Sequence, residues 1–90
     1  MTQAIVDPEE LRRFAHQLKR FNAELGGQLV SLGGQLQSLG ETWRDKEQQK
    51  FADEFQQVMR SLGRFVEASD QYVPFLLRKA DRVDEYLRQR

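Results

Sequence analysis

The sequence predicts an all-α protein, a helical hairpin of two long antiparallel helices. Apolar residues recur every three or four positions through two long arms, which is the spacing of one helix face. Trp43, the single tryptophan, lies near the middle of the 90 residues, between the two arms. We therefore expect one hairpin domain over residues 1–90, with a second helix kinked near Pro74, that dimerises into a four-helix bundle.

The first helix is expected over about residues 8–40, and its start is well marked. Asp7 is a suitable N-cap, and Pro8 at the next position lacks only a donor that would be unpaired there. The apolar positions then follow at steps of three and four: Leu11, Phe14, Leu18, Phe21, Leu25, Leu29, Leu32, Leu36 and Leu39. Such a narrow stripe predicts a packing seam between helices rather than a ligand pocket.

The first arm contains a short internal repeat in which glycines lie beside the leucines. Residues 25–31 read LGGQLVS, and residues 32–38 read LGGQLQS. Each glycine inside a helix costs roughly 1 kcal/mol relative to alanine. One interpretation is close packing, in which Gly26 and Gly33 let another helix approach. The other is a flexible stretch or a break into two shorter helices. The persistent leucine spacing favours close packing.

The turn is expected at about residues 40–45. Gly40 suits the end of the first helix, because glycine accepts the left-handed conformation common there. Either Thr42 or Asp45 can cap the second helix, and Asp45 has Gln48 three residues later, as in a capping box. Trp43 would then lie between the helices, where its ring can cover the open end of the seam.

The second helix is expected over about residues 46–88. Its apolar stripe consists of Phe51, Phe55, Val58, Leu62, Phe65, Ser69, Tyr72, Val73, Leu76, Ala80, Val83 and Leu87. Pro74 interrupts this helix, because proline cannot donate the hydrogen bond that Asp70 would accept. The spacing resumes in phase beyond Pro74, which favours a kink. A separate third helix that begins at Pro74 is the alternative.

Nine large apolar residues are expected in the hairpin core or at an interface with a partner. They are Leu25, Leu29, Leu32, Leu36, Leu39, Phe51, Phe55, Leu62 and Phe65. Together with the hairpin-turn residues Trp43, Asp45 and Gly40 and the glycines Gly26 and Gly33, they are the predicted functional positions of the chain.

The composition argues against enzymatic and nucleic-acid functions. The 14 basic residues balance the 14 acidic residues, whereas a nucleic-acid-binding domain should show a basic stripe. There is no cysteine, and His16 is the only histidine, so it has no second ligand for a metal and no nucleophile to serve. We expect no enzyme activity, no cofactor and no metal, and no apolar run is long enough to span a membrane.

The chain resembles the WXG family, small helical-hairpin proteins of the early-secreted-antigen type that are associated with type VII (ESX) secretion. The resemblance covers the whole chain. It rests on the length, the two long helices, Trp43 at the turn and Phe51 eight residues later. One departure is Trp43-Arg44-Asp45, which stands where the family has Trp-X-Gly. Asp45 can begin the second helix by capping it, so the departure is compatible with a hairpin.

A second departure concerns the export signal of the family, a tyrosine followed four residues later by an aspartate or glutamate. Tyr86 is followed at that position by Arg90, and Tyr72 by Leu76. Residues 1–6 have neither the basic region nor the apolar core of a Sec signal peptide. The resemblance implies a protein that is cytoplasmic before export and is secreted by a non-Sec route.

The resemblance also implies a non-enzymatic protein that dimerises through its helical seams. Its partner would be a second copy or a paralogous WXG-like protein, and it would serve type VII secretion as a substrate or a secretion partner in contact with the secretion machinery. The residues themselves leave two alternatives open. One is a cytosolic coiled-coil adaptor or scaffold unrelated to secretion, and the other is an amphipathic hairpin at a membrane surface.

Overall fold

The computed structural model of the protein describes residues 6–89, which form two α-helices and no strand. Helix α1 is Pro8–Leu39 and helix α2 is Lys46–Arg88. The predicted all-α helical hairpin is confirmed. Residues 1–5, which belong to the stretch without Sec features, and Arg90, which follows Tyr86 by four positions, lie outside the described residues. Neither α1 nor α2 contains an apolar window long enough to cross a bilayer.

Helix α1 begins where its capping sequence predicts. The backbone N–H of Glu9 donates to Asp7 Oδ1 at 2.9 Å, so Asp7 is the N-cap. Glu9 and Glu10 lie in the first turn, where the positive end of the helix dipole favours acidic side chains. Local hydrogen bonding and electrostatics therefore fix the first turn before any packing against α2 is considered.

The end of α1 differs from the expectation for Gly40. None of the glycines and no other residue between positions 6 and 89 has a positive φ, so the predicted left-handed cap at Gly40 is wrong. Instead, the N–H groups of Gly40, Glu41 and Thr42 donate to carbonyl oxygens three residues earlier in the chain. These tighter bonds satisfy the last carbonyls of α1 without a left-handed residue.

Helix α2 begins with a cap on Asp45 and continues through Pro74. The backbone N–H of Gln48 donates to Asp45 Oδ1 at 2.9 Å, which confirms Asp45 as the N-cap. Pro74 lies inside the 43-residue helix, so the alternative of a third helix that begins at Pro74 is wrong. The φ angle of proline is itself helical, and the buried side chains of Val73 and Ala80 hold the helix on both sides of it.

The chain divides into two compact units. The first unit consists of the described residues up to Asn22 and from Ala68 onward. Its buried residues are small or medium-sized: Ala15, Asn22, Ser69, Val73, Ala80 and Val83. The second unit is Ala23–Glu67 and contains the turn. Its apolar residues are half-buried at most, and none of residues 23–67 is fully buried.

Candidate interaction surface

The residues between the two helices repeat every seven positions. We call them the inner seam: Ala15, Asn22, Leu29 and Leu36 on α1, and Ala52, Met59, Val66, Val73 and Ala80 on α2. All are buried or half-buried. A seven-residue repeat keeps one side of a helix facing its neighbour with a slight left-handed supercoil. Several of these side chains are small, which is consistent with close helix packing in the first unit.

Two polar ties cross between the helices in the first unit. Asn22, only 1% exposed, donates through Nδ2 to Asp70 Oδ1 at 2.9 Å. Asn22 Oδ1 is buried and has no partner among the described residues. Nearer the chain ends, Arg12 donates to Asp81 Oδ1 at 2.7 Å and to Asp84 Oδ2 at 2.6 Å. Each tie therefore joins one α1 side chain to α2, Asn22 to one aspartate and Arg12 to two.

Arg12 is the most strongly perturbed titratable group of the described chain. Its hydrogen bonds to Asp81, then to Asp84, and to Glu9 within α1 raise the pKa of the guanidinium above its ordinary value. An arginine is charged at every physiological pH in any case, so the shift reports close contact with three carboxylates rather than a proton switch.

A second series of large apolar residues remains exposed. We call it the outer stripe: Phe14, Phe21, Leu32 and Leu39 on α1, and Phe51, Val58, Phe65, Tyr72 and Tyr86 on α2. On α2 these positions again differ by multiples of seven, and the side chains are between 41% and 59% exposed. Monomeric proteins rarely expose a regular series of large apolar side chains, so the outer stripe is the main candidate for an interaction surface.

Most outer-stripe residues directly precede an inner-side residue of their helix. Leu32 and Leu39 instead follow inner-seam residues by three positions, a rotation of about 300° that points to the same side. Phe14 directly precedes Ala15 and Phe21 precedes Asn22, just as Tyr72 precedes Val73 on α2. One residue corresponds to a rotation of about 100° about the helix axis. Because the two helices are antiparallel, the same rotation on both places the two halves of the stripe on the same face of each unit. A partner could therefore cover α1 and α2 at once.

The nine residues predicted for the core or an interface fall into two groups. Four of them, Leu25, Leu29, Leu36 and Phe55, are half-buried on the inner side. The other five are exposed: Leu32, Leu39, Phe51, Leu62 and Phe65. A single apolar stripe was predicted on α1, but the structure divides it into an inner and an outer series. Of the outer series, Phe14 and Phe21 were predicted to belong to the same packing seam as Leu18.

The two buried residues of α1, Ala15 and Asn22, were not among the residues predicted for the seam. Neither is a large apolar residue, so neither contributes to a hydrophobic period. The signal that could have found them is their spacing, because Ala15, Asn22, Leu29 and Leu36 differ by seven each time. A polar asparagine in such a series is typical of positions that specify helix pairing.

The glycines of α1 are not explained by packing within the hairpin. A Cβ atom added at Gly26, Gly27 or Gly34 would meet no atom within 4 Å. At Gly33 it would lie 3.5 Å from Met59 Cε, an ordinary van der Waals contact. The expected close approach at Gly26 is therefore absent inside the hairpin. Residues 25–40 also contain no charged side chain, so the side of α1 away from the seam carries glycine, serine and glutamine together with the exposed Val30.

An aromatic cluster forms beside the turn in the second unit. The ring centroids of Trp43 and Phe51 are 5.9 Å apart and tilted, and those of Phe51 and Phe55 are 5.4 Å apart and stacked. Trp43 is half-buried, in agreement with a role at the tip of the hairpin. Arg44 Nε donates to the carbonyl oxygen of Gly40 at 3.3 Å and helps to close the turn. Phe51 links this cluster to the outer stripe.

The described residues offer little chemistry of other kinds. A shallow open groove of about 300 Å³ is lined by Gly33, Leu36, Gln56, Met59 and Arg60 in the second unit. Within residues 6–89 no three histidine, cysteine or acidic side chains are grouped so as to hold a metal ion. His16 is exposed. The outer stripe is thus the feature with the clearest functional meaning.

Known proteins include solved structures with the fold of this chain and a family whose profile matches its sequence. Among solved structures, the secreted protein EsxB of Bacillus anthracis str. Sterne in its selenomethionine-labelled form matches with a TM-score of 0.76 and 29% identity, over 96% of this chain and 98% of that chain. The wild-type form matches with a TM-score of 0.75 and 30% identity, over 93% and 97%. A mutant form in which one proline is replaced by alanine matches with a TM-score of 0.79 and 30% identity, over 90% and 94%.

No curated protein matches the chain. The profile of the family WXG100, proteins of 100 residues with WXG, matches residues 3–85, nearly the full length. The resemblance drawn from Trp43, Phe51 and the helical arms is therefore confirmed, and the departure at Asp45 does not remove the chain from the family. This chain belongs to the WXG100 family.

Proposed function

We propose that the protein is a non-enzymatic component of type VII secretion, a substrate or a secretion partner, which dimerises through the outer stripe into a four-helix bundle. The observation that carries the proposal is the regular exposure of large apolar side chains on one face of both helices. Burial of this face against two helices of a partner would give each of the four helices an inner and an outer neighbour.

The apolar area of the outer stripe is sufficient for a stable complex. Six of its nine residues are aromatic and about half exposed. An aromatic side chain buries roughly 150–250 Å², so each has roughly 100 Å² left to bury, and the nine together offer roughly 800 Å² per copy. That value is about the area which each partner contributes to a standard protein–protein interface.

The proposed role in secretion rests on the family and on the solved relatives. EsxB of Bacillus anthracis is a secreted protein, and it matches this chain over nearly its whole length. A non-Sec route from the cytoplasm is the route that the family resemblance implies. The partner in the bundle is a second copy or a paralogous WXG-like protein, and both fit an apolar stripe of this kind.

Dimerisation can be tested by introducing one charge into the stripe. Phe65→Glu should dissociate the bundle, because a carboxylate would be buried among apolar side chains without a partner. Val30→Glu is the matched control, since Val30 is also a large exposed apolar residue but lies outside the outer stripe. Sedimentation equilibrium at micromolar concentration should give a dimer for the wild type and Val30→Glu, and a monomer for Phe65→Glu. A wild-type monomer that also fails to bind any co-expressed paralogue contradicts the dimer proposal.

Export can be tested separately in a bacterium with a functional type VII system. The tagged protein should appear in the culture medium of the parent strain and be retained in cells of a strain that lacks the type VII ATPase. A cytosolic enzyme measured in the same samples controls for lysis. Retention in both strains, with a known substrate still exported, would favour the second candidate function, a cytosolic coiled-coil adaptor. The absence of an acidic residue four positions after Tyr72 is the observation that keeps this candidate open.

A further inference from the structure

The first unit buries alanine and valine residues and exposes its aromatic residues, which simple hydrophobicity does not explain. On α1, Ala15 and Asn22 are 0% and 1% exposed, whereas the neighbouring Phe14 and Phe21 are about half exposed. A rotation of this part of α1 by one residue would replace an alanine and an asparagine at the seam with two phenylalanines. Burial of apolar area alone favours that rotated arrangement in a single hairpin.

The polar ties of the first unit oppose this rotation. The amide of Asn22 reaches Asp70 only from inside the seam, and the guanidinium of Arg12 reaches Asp81 and Asp84 from the adjoining side of α1. A turn of about 100° would carry both side chains away from their acceptors. Asn22 would lose its hydrogen bond to a charged oxygen, and Arg12 would lose the two carboxylates of α2.

Asn22 also lowers the stability of the seam, because its polar side chain is buried. Its amide is 1% exposed and only Nδ2 has a partner among the described residues, so burying it costs desolvation energy that an apolar side chain would not cost. A leucine there would avoid this cost. Buried polar groups that lower stability are retained in other helical assemblies because they select one arrangement of the helices.

We infer that Asn22 and Arg12 are positioning residues that set the rotation of the first half of α1, with Ala15 inside the hairpin and Phe14 and Phe21 outside. They act through the helix and need not touch a partner. Their effect is to keep the α1 part of the outer stripe available. The consequence for dimerisation rests on the proposed function, but the rotation itself does not.

The natural absence of cysteine allows the rotation to be measured by thiol labelling. Single Ala15→Cys and Phe14→Cys reporters would be made with Phe65→Glu, so that a partner does not shield Phe14. The labelling rate of each reporter is measured with and without the double change Asn22→Leu and Arg12→Met. We expect labelling at position 15 to rise about tenfold, since a lost hydrogen bond to a charged group is worth about that factor, and labelling at position 14 to fall.

The reciprocal change distinguishes rotation from loosening. If labelling rises at both positions, the substitutions merely open the hairpin, and the inference is wrong. If neither rate changes, the packing of Ala15 and Val73 sets the rotation without the polar ties, and the inference is again wrong. Asp70→Asn serves as the matched control, because its amide oxygen can still accept from Asn22 Nδ2 and should preserve the wild-type rates.

The result is independent of whether the protein dimerises. A wild-type protein that neither self-associates nor binds a co-expressed paralogue would contradict the dimer proposal but leave the reciprocal labelling prediction intact. Conversely, if the dimer forms and the labelling does not change, only the positioning role of Asn22 and Arg12 is lost. In the dimer without Phe65→Glu, the double change should weaken self-association while the helix content stays the same.

Discussion

Gly27 and Gly34 lie on the exposed side of α1, and replacing both by alanine is expected to stabilise the protein. Neither position has a positive φ, so alanine fits the existing backbone. A Cβ atom at either position meets nothing within 4 Å, so no side chain has to move. The remaining effect is the helix propensity of alanine relative to glycine, which favours alanine.

The expected magnitude follows from propensity alone. Each substitution should raise the free energy of unfolding by roughly 1 kcal/mol. The two sites are seven residues apart, or roughly 10 Å along the helix, so their effects should add to about 2 kcal/mol. For a chain of this size, about 1 kcal/mol corresponds to a rise in Tm of about 4–8 °C.

Urea unfolding followed by far-ultraviolet circular dichroism provides the assay. The midpoint concentration should rise with an unchanged slope, because the surface exposed on unfolding is the same. The measurement is repeated at several protein concentrations, because the proposed dimerisation would couple to unfolding. Gly63→Ala in α2 is the control, because Gly63 also has open space around its Cβ position and lies outside the repeat.

Two outcomes would refute the reasoning in different ways. If Gly63→Ala also fails to stabilise, propensity is not the dominant effect at glycines of this hairpin with open space around the Cβ position. If Gly63→Ala stabilises but Gly27→Ala and Gly34→Ala destabilise the dimer, a partner helix approaches α1 closely at the repeat. That second outcome would restore the close-packing interpretation, with the approaching helix outside the hairpin.

Three further predictions concern the turn and α2. Asp45→Ala should cost about 1 kcal/mol of stability through loss of the N-cap bond to Gln48, and Asp45→Asn should be nearly neutral, as measured by thermal unfolding. Trp43→Ala should cost about 2 kcal/mol, less than a fully buried tryptophan, because the ring is half-buried against Phe51. Pro74→Ala should raise the free energy of unfolding by up to about 3 kcal/mol, because alanine restores an N–H donor within the helix, as measured by urea unfolding. A loss of stability would mean that a bend at Pro74 is needed for packing.

Local chemistry made the helix starts predictable. Asp7 followed by Pro8 identifies the first cap from side-chain type and spacing. For the second helix the sequence left Thr42 and Asp45 as alternatives, and the hydrogen bond from Gln48 selects Asp45. The Gly40 conformation was not predictable, because a helix can also end through tighter hydrogen bonds that use no left-handed residue. Glycine permits the left-handed conformation but does not require it.

The division of the α1 apolar residues into inner and outer series could not be read from hydrophobicity. Steps of three and four are compatible with both a single wide stripe and two adjacent seams. The choice between them depends on Asn22 and Arg12, whose partners Asp70 and Asp81 lie 48 and 69 residues away in sequence. Those pairings become visible only when α2 is in place, so the buried asparagine was the residue least accessible to sequence reasoning.

If the protein dimerises as proposed, the exposed outer stripe should couple the stability of the hairpin to partner binding. In a single hairpin the seam of the first unit is built from residues such as Ala15, Ser69 and Ala80, which contribute little apolar area each. More apolar area belongs to Phe65, Tyr72 and the other outer-stripe residues, which the proposed dimer would bury. Phe65→Glu should therefore lower Tm as well as the fraction of dimer, and the wild-type Tm should rise with protein concentration. A concentration-independent Tm, unaffected by Phe65→Glu, would indicate that the hairpin obtains its stability without the stripe.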